Sequence, residues 1–209
     1  VAIDMPAGPS EVAVLADECC VPAFVAADLL SQAEHGPDSQ VVLVSTSETV
    51  ISETLAEVDR QIEELSRKST AAAAIQNSKA ILVETLADGV ELLNEYAPEH
   101  LIIATQNAEE IAETIVNAGS VFIGNYSCES AGDYASGTNH TLPTGGAARA
   151  YSGVSVASFT KSITFQRLTA DGIQNLGPTI ETLAAGEGLD AHKNAVSIRR
   201  GWIGGRDAV

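Results

Sequence analysis

Along the first 123 residues, short apolar runs alternate with longer stretches in which apolar positions recur every three or four residues. Glu11–Ala16 (EVAVLA), Val41–Val44 (VVLV), Ala80–Val83 (AILV), Leu101–Ala104 and Val121–Ile123 have the length and branching of buried strands. Between them, Pro22–Gln32 reads as a helix with Phe24, Ala27, Leu29 and Leu30 near one face. Ser47 is placed to cap a second helix carrying Val50, Leu55, Val58, Ile62 and Leu65. Leu86–Tyr96 predicts a third, and Asn107 a cap for a helix running to Asn117 and stopped by Gly119. Ala71–Ala74 is only a helix-compatible alanine run. Such β-α-β alternation predicts an α/β fold, a parallel sheet flanked by helices, with its site beyond the carboxyl ends of the strands. Residues 124–153, rich in Gly, Ser, Thr and Asn, read as a long functional loop. Helical pattern returns from about Thr169, which divides the chain into a domain over 1–165 and a C-terminal helical tail over 166–209.

Charge narrows the function classes. Eleven Lys and Arg against 28 Asp and Glu give a net charge of −17, a surface that repels phosphate backbones and anionic lipid. Neither nucleic acid nor membrane is an expected partner, and no apolar run approaches the ~20 residues of a spanning helix. Three cysteines, two of them adjacent at 19 and 20, form no disulfide framework and read as packing residues in a reducing, cytoplasmic setting. No targeting segment is visible, and VAIDMPAGPSE reads as mid-domain sequence, so an upstream portion is expected.

Several short constellations could carry chemistry. In SQAEHGPDSQ, Gln32 and His35 share a helix face at i, i+3 just before Gly36-Pro37. They could present an amide oxygen and an imidazole to a metal, or His35 could simply lie near the last helix carbonyls. In NEYAPEHLII, Glu99 and His100 follow the restraint of Pro98 and could supply two proton-transfer groups, or form a solvated turn. In ESAGDYASGTNHTLPT, Asp133 is a hard-oxygen candidate for Zn²⁺ and His140 a candidate substrate contact. There Gly132 and Gly137 would allow unusual backbone angles, and a self-stabilised surface loop is the alternative. In AAGEGLDAHKNA, Glu187 and His192 read by spacing alone as solvated. Ser10 lacks the context of a serine nucleophile, and no G-x-G-x-x-G follows a strand.

Taken in order, IDMPAGPSE, ADLLSQAEHGPDSQ, NEYAPEHL, GSVFIGNYSCESAGDYASGTNHTLPT and EGLDAHKNAV resemble histidinol dehydrogenase from Val1 to about Arg199, leaving RGWIGGRDAV outside. The resemblance implies a Rossmann-like sheet and a zinc-dependent enzyme that oxidises L-histidinol to L-histidine through the aldehyde with two NAD⁺. It implies zinc ligands at Gln32, His35, Asp133 and His192. His100 would be the base for the alcohol step and Glu99 the acid/base that activates water for the aldehyde step. Ser10, Gln32, His35, His100, Asp133, Glu187 and His192 would contact substrate, with His140 a further candidate. A homodimer is implied, its C-terminal tail reaching the partner's site, with most NAD contacts upstream of Val1. On that reading this chain alone is expected to be inactive, and the alternative is a fragment that binds zinc and histidinol-like ligands without turnover. A zinc hydrolase reusing the site is a third, weaker alternative. Gly145-Gly146-Ala147 departs from the bulky or polar residue, glycine and aromatic usual there, which predicts a looser loop.

Overall fold

A computed structural model describes residues 5–206, with side chains as far as 203. Val1–Asp4, the start of the IDMPAGPSE motif, lie outside the described residues, as do residues 207–209 of the last stretch. Two compact units are present, Val1–Thr160 and Lys161–Val209.

The first unit is built on a five-stranded, wholly parallel sheet in the order β3-β2-β1-β4-β5. Its strands are β1 (Glu11–Ala16), β2 (Gln40–Ser45), β3 (Lys79–Leu82), β4 (His100–Ala104) and β5 (Ser120–Ile123). β1 is central and every one of its residues is buried, which is why it reads as a continuous apolar run rather than an alternation. Successive side chains go to opposite faces. Val12, Val14 and Ala16 pack with α1 (Pro22–Ala33), α2 (Glu48–Ile62) and α3 (Lys68–Gln76). Ala13 and Leu15 pack on the other face with α4 (Leu86–Tyr96) and α5 (Ala108–Ala112). The last α-helix of this unit is α6 (Glu129–Tyr134), followed by two short 3-10 turns, Ala147–Arg149 and Val156–Phe159. The fold is α/β, a Rossmann-like parallel sheet flanked by helices. Among the described residues, no helix is long and apolar enough to cross a membrane.

Three expectations are corrected and one is extended. In α1 the buried positions are Val25, Ala26, Leu29, Leu30, Gln32 and Ala33, while Phe24 is turned outward against Tyr126 and Ala27 is exposed. The alanine run belongs to a separate helix, α3, whose small side chains let Ala71 and Ala74 pack fully buried. The helix after Asn107 stops at Ala112 rather than Asn117. Asn94 of α4 captures that backbone instead: its Oδ1 accepts the N–H of Val116 and Asn117, and its Nδ2 donates to the Thr114 carbonyl. Finally, Ser47 and Asn107 stand at N-caps, but neither side chain accepts a capping hydrogen bond.

The second unit is a pair of helices, α7 (Ala170–Gly186) and α8 (Asp190–Arg206). Gly188, at φ +72°, lets the Leu189 and Gly188 N–H groups close back on the Ala184 and Ala185 carbonyls. The helices are then tied by Arg200 and Ser197 to Glu181, and by Gln174 to the Arg200 carbonyl.

Candidate active site

The central strands begin, rather than end, on ionisable side chains. Glu11 is the first residue of β1 and His100 the first of β4, and His100 lies in register beside Val12. This contradicts the expected carboxyl-end location. The amino end is where α1, running back along the sheet, brings Gln32 in its last turn and His35 just beyond it. Between α4 and β4, Ala97 takes the left-handed conformation (φ 55°) that an alanine rarely adopts. This reverses the chain so that Pro98, Glu99 and His100 enter the sheet edge buried, not as a solvated turn.

The backbone of one residue, Glu11, pins both members of the Glu99-His100 pair. The Glu11 N–H donates to Glu99 Oε2 at 2.9 Å, and His100 Nδ1 lies 3.0 Å from the Glu11 carbonyl oxygen. A carbonyl only accepts, so Nδ1 carries the proton and Nε2 is left bare. Nε2 is buried without a hydrogen-bond partner and stands 3.8 Å from Asp133 Oδ1. Burial lowers the His100 pKa and keeps the ring neutral. Burial, reinforced by the charges of Glu11 and Asp133, pushes Glu99 up to about 7 against the pull of the Glu11 N–H.

The Gly/Ser/Thr-rich segment is not a loop throughout. Helix α6 puts Glu129 and Asp133 one turn apart on one face. Gly132 serves close packing rather than an unusual angle: a Cβ there would stand 2.6 Å from the Phe122 ring, whereas Gly137 has the positive φ of 92°. Phe122 in turn stacks beside His100 at 5.9 Å between ring centroids. His35, Glu129 and Asp133 each offer a ligand atom within 4.8 Å of the others. With the Gln32 amide beside Glu129, this imidazole, carboxylate and amide set suits a tetrahedral N/O site for zinc.

Glu129 went unnoticed in the sequence. It is 2 % exposed, and burial pushes its pKa up to about 9. The i, i+4 spacing to Asp133 was its signal, obscured because the segment read as loop. Glu11 was missed too: its Oε1 accepts the Gly145 N–H at 2.9 Å and its Oε2 has no partner. That bond, with the Ala147 N–H closing on the Thr144 carbonyl, fastens the 144–147 turn expected to be loose.

The structure thus brings Gln32, His35, Glu99, His100 and Asp133 to one edge of the first unit, with Ser10 one residue before β1. His140 is exposed, its Nδ1 3.5 Å from the Asp133 carbonyl oxygen. Glu187 and His192 belong to the second unit, both exposed, at the end of α7 and the start of α8. Of the cysteines only Cys20 is buried.

A family model described as histidinol dehydrogenase matches residues 1–200. Curated histidinol dehydrogenases from Bacteroides thetaiotaomicron and Aliivibrio fischeri are 61% identical over 199 residues and 57% over 198. Each match covers 95% of this chain, and 46% and 45% of the respective relative. A crystal structure of histidinol dehydrogenase from Elizabethkingia anophelis superposes with a TM-score of 0.93 at 60% identity, over 95% of this chain and 46% of that one. The chain therefore spans about half the length of the curated relatives it matches. Identity at this level, sustained across nearly all of its residues, means that the chain belongs to the histidinol dehydrogenase family.

Proposed function

We propose that this chain supplies the zinc- and substrate-binding half of a histidinol dehydrogenase, which oxidises L-histidinol through L-histidinal to L-histidine with two NAD⁺. The observation that carries this is the buried, unprotonated His100 Nε2, fixed by the Glu11 carbonyl and facing Asp133. Gln32, His35 and Asp133 would hold zinc, with His192 of the second unit completing the set in a homodimer. Zinc, when bound, supplies a Lewis-acidic anchor that orients the substrate's nitrogens more than a source of hydroxide. NAD⁺, when bound, accepts the hydride of each two-electron step.

In the first step His100 Nε2 takes the hydroxyl proton as the alcohol carbon becomes a carbonyl. In the second, Glu99 takes a proton from the water that adds to the aldehyde, a role suited to a group held near neutrality. Ser10, Glu187 and His192 would complete the substrate contacts. The β1–α1 connection, Asp17–Val21, contains no glycine for a dinucleotide turn. NAD contacts are accordingly assigned to the part of the family fold this chain does not span. The exposed Leu176, Leu183 and Ile198 of the helix pair give the second unit an apolar surface for a dimer contact. Three free cysteines suit a cytoplasmic setting.

The test is to give the intact protein carrying these residues L-histidinol and NAD⁺, with and without a chelator. Two NADH per histidinol, lost on chelation and restored by zinc, is the expected result. No NADH from the folded, zinc-loaded protein overturns the proposal.

A further inference from the structure

We infer that Glu129 is a positioning residue: its carboxylate, ionised beside a bound cation, fixes which end of the Gln32 amide is left available to that cation. The inference rests on the zinc reading above. Gln32 is 1 % exposed and Glu129 2 % exposed, so neither can exchange its partner for water. Hydrogen-bond partners assign the amide's orientation. With nitrogen toward Glu129, the amide donates to Oε2 at 3.0 Å and to Oε1, and its oxygen accepts the Glu11 N–H at 3.2 Å. With the amide turned round, its oxygen faces the carboxylate and its N–H faces the Glu11 N–H, which Glu99 Oε2 already accepts, so both ends of the amide lose their partners.

Only the oxygen of a neutral amide binds a metal, and it keeps a second lone pair after accepting from Glu11. An amide free to rotate would present nitrogen part of the time. Glu129 removes that freedom, and among the described residues the Gln32 amide is the only group that donates to it. Glu129 is one turn from Asp133 and close to His35, so the same α6 face supplies a ligand and the group that orients another. Outer partners that orient metal ligands are worth about 10–100-fold in metal affinity.

The experiment measures zinc affinity in the intact protein by competition with a chromophoric chelator. Glu129→Leu keeps the volume and removes the acceptor, and Glu129→Met serves if the leucine protein does not fold. Circular dichroism of the metal-free protein checks the fold. Expected are about 10–100-fold weaker binding in Glu129→Leu and a loss in Gln32→Ala. The double variant should bind no more weakly than Gln32→Ala alone, because Glu129 acts through Gln32. Additive losses would make Glu129 a ligand in its own right and overturn the inference, as would affinity within about threefold of wild type. His35→Ala separates the two levels. If it abolishes zinc binding while Glu129→Leu stays within about threefold of wild type, only the inference falls. If His35→Ala binds zinc as before, the zinc reading falls and takes the inference with it.

Discussion

At the amino end of the sheet, Glu11, Glu99, His100 and Glu129 are each no more than 6 % exposed, and Glu11 Oε2 and His100 Nε2 have no hydrogen-bond partner. At the carboxyl end, the half-buried Asp17 is fully employed: it accepts the Cys19 N–H at 2.8 Å and the Gln106 N–H at 2.9 Å, pinning the loops after β1 and β4. The partnerless buried atoms there, Thr105 Oγ1 and Asn125 Oδ1, are neutral. Parallel sheets usually bind ligands beyond their carboxyl ends. Here the fold buries its ionisable groups at the opposite end. Function follows where ionisable groups are left buried and unsatisfied, and fold class alone does not locate that place.

The sharpest way to break the comparison is one substitution at each end of the intact protein. His100→Asn keeps a donor for the Glu11 carbonyl but removes the bare ring nitrogen. It should lower kcat for histidinol oxidation by about 10²–10⁴. Asn125→Ala, at the carboxyl end, removes only a hydrogen bond to the Cys19 carbonyl and should leave kcat within about twofold. Comparable losses in the two variants would bring the carboxyl end into the site.

Two glycines bracket β5 and carry the comparison into packing. A Cβ on Gly119, before the strand, would press on the Glu99 carbonyl oxygen and stand 3.1 Å from Leu142 Cβ. Gly124, after the strand, meets nothing within 4 Å, and only its φ of +85° resists a side chain. Gly119→Ala should therefore cost about 1–3 kcal/mol in urea unfolding and displace Glu99 and His100, lowering kcat by up to about 10². Gly124→Ala should cost about 1–2 kcal/mol of stability with kcat per folded molecule unchanged. Equal kcat in both variants would mean that the Glu99 carbonyl can yield without moving the pair.

Much of this was legible in the sequence, because buried parallel strands write themselves as apolar runs. β1 and α4 have the boundaries the pattern gave, and β4 and β5 each begin one residue earlier. What the pattern missed was set by tertiary contacts. Asn94 ends α5 early from another helix, and α6 hides in a segment whose glycines mimic a loop. Glu11 looked like the polar start of a strand, and only the fold reveals that its backbone N–H and carbonyl hold Glu99 and His100 together. Spacing showed Gln32, His35 and Asp133 as chemistry, but only the family resemblance made them neighbours, since Asp133 is distant in sequence from the other two.

The smallest expected effect puts the same contrast on a pH scale. Burial raises Glu99 from 4.5 to about 7, and burial raises Glu11 as well. The folded protein thus holds these protons more tightly than the unfolded chain. The stability they contribute is fully present below about 4.5 and is lost as pH rises through about 7. In zinc-free protein, the urea midpoint should fall between pH 5.5 and pH 8. Glu99→Gln keeps an acceptor for the Glu11 N–H but carries no titrating proton, so its fall should be shallower, with Glu11, Glu129 and Asp28, which burial also raises, accounting for what remains. An unchanged slope in Glu99→Gln would mean that this carboxyl ionises as it does in water. The amino end would then be buried without the electrostatic cost that sets it apart from the carboxyl end.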